Sequence, residues 1–319
     1  MTTEWRPWRL ALAVLVFAFL IALAGLFAYG LATPAKWYTG VYAGAWVQQN
    51  GQRVIVQPPF SPLTLADTYT INVQPSGSHL YLLGSDPGGR DLLGLVAHGA
   101  VPSLELVAVV VAVRLLMGIG FGFAMGLGSR LAANVAESVG SWIIGFPYLA
   151  LAIIVIETLE PEGKAVAFIV GMAVVGWRDI ALQIAERIEH VRSQSFAEAA
   201  ASLGTDGLQF FRLHVFPFLR PLLTVEVPFQ ASAALVLLAE LGYLQVFLGP
   251  VIRLNYGPGE NTLPLLVNPE LGQMLANTRR YLLNHEMAPV LVPALAVAAL
   301  ALAFELIGTT FRGRWRFAR

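Results

Sequence analysis

The stretch that decides the fold is Glu-Ala-Ala-Ala-Ser-Leu-Gly at 198–204, continued by Thr-Asp-Gly at 205–207 and ending in His-Val-Phe-Pro at 214–217. It is a polar, charged island between long apolar runs. Residues 198–203 are good helix formers, and Gly204 can end that helix because glycine takes the left-handed conformation cheaply. Asp206 and Gln209 have the spacing of a capping box for a second short helix. The pattern predicts a helix–glycine–helix elbow that ends near Pro217, although an ordinary amphipathic loop has a similar local pattern.

The composition is that of a membrane protein. The chain has 319 residues, of which 56% are hydrophobic and only 13% are charged, against about 25% charged in soluble domains. Its formal net charge of zero argues against a nucleic-acid partner. Without cysteine it forms neither disulfides nor a thiolate metal site. No phosphate-binding loop of the Gly-x-x-x-x-Gly-Lys-Ser/Thr type is present, so any ATP that drives the protein is hydrolysed by another chain.

Six apolar segments are long enough, or nearly so, to cross roughly 30 Å of hydrocarbon. They are residues 8–31, 103–126, 139–156, 165–184, 222–248 and 287–307. Six crossings place both termini and the elbow on one side, and arginines concentrate there, which is typical of the cytoplasmic face. We therefore expect a retained first span, with a cleaved signal peptide as the alternative.

The expected domain organisation has three parts. Residues 1–32 form the cytoplasmic N-terminus and the first span, 33–94 form an external β-rich insertion, and 95–319 form a five-span core. The core has a cytoplasmic coupling loop at 185–221 and an external loop at 249–286.

The insertion contains two hairpin signals. Asn50-Gly51 lies between apolar runs and predicts a two-residue hairpin, and Pro75-Ser76-Gly77 predicts the turn of a second one. The insertion either contacts a soluble binding protein or caps the membrane domain.

The elbow resembles the EAA loop of ABC importer permeases, which have Glu-Ala-Ala, a glycine four residues later and an apolar-x-apolar-Pro ending. Arg212, His214 and Pro217 narrow the resemblance to the second (C-type) permease subunit of dipeptide, oligopeptide and nickel importers. The resemblance extends from about residue 83 to 314, apart from 251–268. Further matching segments are Phe146-Pro147, Val175-Gly176-Trp177, Ala239-Glu240 and Tyr281-Leu282-Leu283.

The resemblance implies an all-α polytopic membrane protein with six transmembrane helices of the type I ABC importer fold and a small external β-rich insertion. It implies a permease subunit of an ATP-driven importer for peptides or related small solutes, and not an enzyme. The chain would bind no cofactor, and ATP and Mg would be bound by partner subunits. The partners would be a homologous B-type permease, two ATPases, an external substrate-binding protein and the bilayer of a prokaryotic inner (plasma) membrane. A membrane scaffold or receptor-like protein without a transport role is the alternative.

In such permeases the elbow docks into a groove on the ATPase. The residues that the resemblance assigns to coupling are Glu198, Ala199, Ala200, Gly204, Asp206, Arg212, His214 and Pro217. Glu198 would anchor the elbow or contact the ATPase, the two alanines would allow close docking, and Gly204 would make the bend.

Polar residues inside the apolar segments are candidates for the translocation pathway, because such residues are costly in lipid. They are Arg114, Glu226, Gln230 and Glu240. Arg114 replaces an apolar residue of the family, and its alternative role is a buried pair with Glu105 or with a residue of another helix. For Glu240 we favour a hydrogen bond to a neighbouring helix, and Glu226 could instead reach the interface. No metal site is expected.

Two further patterns concern the second span. Asp86, Gly89, Arg90 and Asp91 form an external segment that leads into it, and we expect their hydrogen bonds to order the start of the helix rather than to contact substrate. Within the span, glycines recur at 118, 122 and 126. This small-residue face predicts the close approach of another helix.

Overall fold

The computed structural model describes residues 7–49, 52–70, 74–127, 130–195, 197, 209, 211–249, 251–255, 262–266 and 270–316. The chain divides into two compact units, Met1–Leu104 with Ala239–Ala303, and Glu105–Leu238 with Phe304–Arg319. Each unit is described separately below.

The helices of the described residues carry most of the structure. In chain order they are α1 (Pro7–Ala32), α2 (Ala35–Thr39), α3 (Leu92–Leu127), α4 (Arg130–Ile144), α5 (Tyr148–Leu159), α6 (Lys164–Val174), α7 (Trp177–Arg192), α8 (Phe216–Tyr243), α9 (Leu271–Met274), α10 (Thr278–Leu283) and α11 (Ala288–Arg316). A π-helical turn, Phe211–Val215, leads directly into α8, and 3-10 turns occupy Glu160–Glu162 and Leu275–Asn277.

Fewer helices qualify as complete membrane spans than the sequence predicted. Among the described residues, three are long and apolar enough to cross a bilayer: Leu92–Leu127, Phe216–Tyr243 and Ala288–Arg312. A fourth span results if α6 and α7, which are bent by 46° at their junction, count as one. Phe17–Ala32 and Tyr148–Leu159 are shorter apolar helices. The structure therefore supports a multi-pass membrane protein without confirming the six-helix count.

The predicted third span, 139–156, is not one continuous helix. Helix α4 ends at Ile144 and α5 begins at Tyr148, with Pro147 at its N-cap. Proline has no backbone N–H and disfavours the helical conformation of the residue before it, so the helix is interrupted here. Helix α4 also extends over residues 130–137, where the sequence predicted a loop.

The first unit contains an antiparallel sheet with the strand order β2-β1-β3-β4. Its strands are β1 (Tyr42–Gln49), β2 (Gln52–Val56), β3 (Thr64–Thr70) and β4 (Pro75–Tyr81). The pairing of β1 with β2, in which Gln49 lies opposite Gln52, confirms the first hairpin; its Asn-Gly turn lies outside the described residues.

The second hairpin turns earlier than predicted. Strands β3 and β4 do pair, but the turn lies between Thr70 and Gln74, and Pro75-Ser76-Gly77 belongs to β4. The N–H of Thr70 donates to the Gln74 oxygen at 3.0 Å. Because β4 is an edge strand and Pro75 is its first residue, the missing N–H of proline is tolerated there.

The sheet has a small apolar core of Ala45, Phe60, Ala66 and Tyr81, against which Val47 and Val56 pack. A second, two-stranded sheet follows α8 and consists of β5 (Val251–Asn255) and β6 (Thr262–Leu266). It occupies the segment for which the sequence offered no counterpart and predicted no strands.

Candidate coupling site

The centre of the elbow lies outside the described residues. This applies to Glu198, Ala199, Ala200, Gly204 and Asp206. The end of the elbow is described: Arg212 lies in the π-helical turn and is exposed, and Pro217 is exposed in the first turn of α8. The backbone of His214 belongs to the same turn, and its side chain is not described.

Both flanks of the elbow are anchored in one apolar cluster of the second unit. The buried members of this coupling cluster are Ile180, Ile184, Ile188 and Val191 of α7, Ala197, Val215 near the end of the elbow, and Leu219 of α8. Leu115, Ile119 and Leu127 of α3 and Leu222 and Leu223 of α8 pack against it. Because packed interiors have low compressibility, the described flanks of the elbow cannot shift without disturbing the packing of α3, α7 and α8.

A seam of close contact joins α3 to α7. The three glycines of α3 each contact one isoleucine of α7: Gly118 with Ile180, Gly122 with Ile184, and Gly126 with Ile188. A Cβ atom on Gly122 would lie 2.8 Å from both the Ala181 oxygen and Ile184 Cβ. The residue numbers rise together along the two helices, so α3 and α7 run parallel. The seam confirms the close helix approach predicted from the glycine spacing, and it identifies α7 as the partner.

The seam ends beside the start of the elbow. Nη1 of Arg192, the last residue of α7, donates to the Gly126 oxygen at 2.9 Å. This bond satisfies a carbonyl near the C-terminus of α3, where no further helical turn provides a donor. The contacts between α3 and α7 therefore continue to the C-terminal residue of α7, after which the chain leads to the elbow.

Two of the four predicted pathway residues lie together. Arg114 is only 2% exposed; its Nη1 donates to Gln230 Oε1 at 3.1 Å, and its Nε and Nη2 donate to the Met172 oxygen at 3.1 and 2.8 Å. Arg114 thus pairs with residues of other helices, whereas Glu105 is exposed. Among the described residues, no carboxylate forms an ion pair with Arg114.

The two acidic candidates lie elsewhere on α8. Glu226 is buried, with 6% of its surface exposed. Glu240 is half-buried and lies in the first unit. A contact of these residues with a transported solute stays a prediction.

The segment before α3 forms a buried polar network in the first unit. Asp86 Oδ2 accepts hydrogen bonds from Arg90 Nε at 2.8 Å and Nη2 at 2.6 Å, while its Oδ1 accepts from the N–H groups of Gly88 and Arg90. Asp91 Oδ2 accepts from Gly94 N at 2.9 Å in the first turn of α3. Gly89 has φ +74°, a conformation that glycine adopts without strain. These contacts join the segment to the first turn of α3.

The sequence did not indicate a second polar junction, at the N-terminus of α9. Ser103 Oγ donates to the Gly99 oxygen and accepts from Leu271 N, both at 2.9 Å. Glu270 precedes this helix and is 7% exposed, and burial raises the pKa of its carboxyl to about 7. The Gly272 and Gln273 N–H groups and the Ser103 hydroxyl lie near enough to oppose this shift in part, although none of them meets hydrogen-bond geometry with the carboxyl. Neither carboxyl oxygen has a hydrogen-bond partner among the described residues, so burial dominates.

The sequence signal that could have indicated this junction was the acidic residue Glu270 itself. Glu270 stands in a short segment whose described residues, 270–276, are all buried. Sequence periodicity cannot reveal this burial, because it arises from α3 and from α8, whose Gly242 lies against the Gly272 backbone.

These features define a class of protein: a multi-pass membrane component in which a buried arginine is hydrogen-bonded to groups of other helices and the described flanks of the elbow pack against the same helices. The chain belongs to the family described as the binding-protein-dependent transport system inner membrane component, whose profile matches residues 118–317, more than half of the sequence.

Characterised relatives are peptide permeases. The dipeptide transport system permease protein DppC of Alkalihalophilus pseudofirmus is 24% identical over 79% of this chain and 78% of its own length. The protein of the same name from Haemophilus influenzae is 26% identical over 74% of each chain. Among solved structures, a chain of the inward-facing MetNI methionine ABC transporter is 16% identical, with a TM-score of 0.49 over 68% of this chain and 96% of that one.

Proposed function

We propose that this chain is the C-type membrane subunit of an ATP-driven importer for peptides or related small solutes. Its elbow, residues 198–217, receives the movement of an ATPase subunit and passes it to the membrane helices, which alternate between outward and inward openings. The peptide substrate is inferred from the named functions of the relatives. The remaining partners are a homologous B-type permease, a second ATPase and an external substrate-binding protein.

The observation that carries this proposal is the coupling cluster. Ala197, directly before the elbow, and Val215, near its end, are buried in the same group of side chains as Ile184 and Ile188 of α7. A solvated loop with no mechanical role would not require both ends to be packed against the same helices. The elbow is thus suited to act as a lever whose displacement is not absorbed locally.

The proposal places the elbow and both termini in the cytoplasm and the sheet outside. Because the chain has no cysteine, single cysteines can test this topology. Arg212→Cys in the elbow and Lys164→Cys at the start of α6 both replace exposed residues. In intact cells, a membrane-impermeant thiol reagent should label the variant at position 164 and spare the one at 212. Labelling of 212 alone would reverse the topology and refute the proposal.

Co-purification and uptake test the coupling role. The wild-type chain should bring down ATPase subunits, which a scaffold or receptor-like protein would not. Gly204→Asp or a bulky replacement of Ala200 should weaken this association and lower uptake at an unchanged membrane level. If both variants retained wild-type association and uptake, the elbow would not be the coupling element.

A further inference from the structure

At the junction of α6 and α7, the backbone carbonyl of Met172 lacks its usual helical donor. In an unbroken helix the N–H of Gly176 would donate to the Met172 oxygen, four residues earlier. Here it donates to the Ala173 oxygen at 3.2 Å, and the two helices diverge by 46°. An unsatisfied carbonyl is costly inside a membrane, where no water can replace the lost bond.

Arg114 of α3 satisfies this carbonyl. Its Nε and Nη2 both donate to the Met172 oxygen, at 3.1 and 2.8 Å. The guanidinium also lies directly against the backbone of the break, because a Cβ atom on Gly176 would be 2.5 Å from both Cζ and Nε of Arg114. While the arginine side chain occupies this place, glycine is therefore the only residue that fits at position 176.

The pair of Arg114 and Gly176 continues the seam between α3 and α7. Arg114 precedes Gly118 by four residues, and Gly176 precedes Ile180 by four, so the register of the seam is maintained. The sizes of the two paired residues are reversed relative to the other three pairs: here the large side chain lies on α3 and the glycine lies at the α6–α7 break. The hydrogen bond from Nη1 to Gln230 adds α8, the helix that begins at the end of the elbow.

We propose that Arg114 is a positioning residue that fixes the bend between α6 and α7 and links it to α8, rather than a group that contacts the transported solute in this conformation. One buried guanidinium joins the helices on both sides of the elbow. The role in fixing the bend is independent of the proposed function, whereas the consequence for transport rests on it. A buried arginine is expensive in a membrane, and here its donors replace a hydrogen bond that the helix break has removed.

The bend can be measured directly with two spin labels on the full-length chain. Ala165 and His190 are exposed on α6 and α7, and cysteines there are unique because the chain has none. At 1.5 Å per residue the two helical arms are about 14 and 20 Å long. With a bend of 46°, straightening the junction would lengthen the distance between the labels by about 2–3 Å.

Arg114→Met removes the donors and keeps an unbranched side chain. The Gly176 N–H is then free to return to the Met172 oxygen, so we expect the distance distribution to shift by about 2–3 Å or to acquire a second, longer population. Arg114→Lys, whose ammonium can still donate to Met172, should broaden the distribution and keep the wild-type maximum. An unchanged distribution in Arg114→Met would overturn the proposal.

Val110→Ala is the matched control, because Val110 is fully buried one helical turn before Arg114 and the substitution removes packing while keeping the arginine's hydrogen bonds to the break. It should leave the distance unchanged; the same lengthening in this variant would attribute the effect to general loosening and overturn the proposal. If Arg114→Met does not fold, Gly176→Ala serves instead, since its Cβ displaces the guanidinium and predicts a changed bend.

An uptake assay separates the two proposals. In the assembled transporter, Arg114→Met should lower the solute imported per ATP hydrolysed while ATPase subunits stay bound. A changed bend with unaltered coupling would preserve the positioning role and refute its link to transport. Elbow variants that kept ATPase binding and uptake, while Arg114→Met changed the bend, would refute the proposed function and preserve the positioning role.

Discussion

Replacing Gly122 by alanine tests how closely α3 and α7 must approach each other. The added Cβ would lie 2.8 Å from the Ala181 oxygen and from Ile184 Cβ, closer than Cβ contacts found in proteins. Both atoms belong to, or are bonded directly to, the backbone of α7, so the contact is relieved only if the helices separate. Gly120 of the same helix is the matched control, because a Cβ there meets nothing within 4 Å.

The expected magnitude follows from two opposing effects. Alanine in a helix interior is more favourable than glycine by about 0.5–1 kcal/mol, and this gain applies to both positions. Overpacking a well-packed contact costs about 1–3 kcal/mol, and this cost applies to Gly122 alone. We therefore expect Gly120→Ala to be neutral or stabilising, and Gly122→Ala to be less stable than Gly120→Ala by about 1–3 kcal/mol.

Thermal unfolding in detergent, followed by the fluorescence of the seven tryptophans, measures the difference. Gly122→Ala should unfold a few degrees below Gly120→Ala, and uptake should fall in the same order because the seam leads to the elbow. Equal unfolding temperatures for the two variants would refute the close packing of α3 against α7. The comparison is insensitive to general effects of alanine, since both substitutions add one methyl group to the same helix.

Three further predictions concern the first unit. The pKa of Glu270 is about 7 in the folded chain against an ordinary 4.5, so the folded state binds the proton more tightly than the unfolded state. The free energy of unfolding should therefore decline by about 3 kcal/mol as the pH rises from the ordinary pKa to the folded one. Glu270→Gln should flatten this decline in unfolding curves measured between about pH 5 and 8. Asp86→Asn leaves the Arg90 guanidinium buried without its carboxylate and should destabilise the unit by about 3–5 kcal/mol, seen as faster proteolysis. Gly242→Ala would place a Cβ 1.9 Å from the Gly272 oxygen and should lower the yield of folded protein.

Each of these predictions has a control and a contradicting result. If the pH curve of Glu270→Gln ran parallel to that of the wild type, Glu270 would not be the group that titrates. The exposed Glu160–Lys164 pair has the same four-residue spacing as the buried pair, so Glu160→Gln should change stability by less than about 1 kcal/mol; an equal effect of Asp86→Asn would show that burial is unimportant. For Gly242→Ala the control is Gly25→Ala, which meets no neighbour; equal yields would contradict the close approach.

Several features could be predicted from the sequence because they depend on local chemistry. The apolar runs indicate membrane segments, since the bilayer interior accepts only chains that bury their polar groups. Asn50-Gly51 correctly predicts the pairing of β1 with β2, because Asn-Gly is among the few residue pairs that two-residue hairpin turns favour. The spacing of Gly118, Gly122 and Gly126 correctly predicts a close helix contact, because residues four apart share one face of a helix.

Other features required the folded chain. The sequence predicted continuous spans where Pro147 divides one helix from the next and where Gly176 lies at a bend, because apolarity measures membrane affinity and not helix continuity. The sequence also predicted the second turn at Pro75. That proline lies instead within β4, where it is tolerated because β4 is an edge strand, and the edge position follows from the pairing of β1 with β3.

The sequence by itself determined that this protein lies in a membrane, where its helices are apolar and which face of α3 is narrow enough for close packing. Only the tertiary structure decided that α7 occupies that face and that Arg114 satisfies a carbonyl 58 residues away. The physical reason is that composition and periodicity describe only a few neighbouring residues. The partner of a hydrogen bond or of a glycine seam depends instead on which helices, distant in sequence, pack against each other.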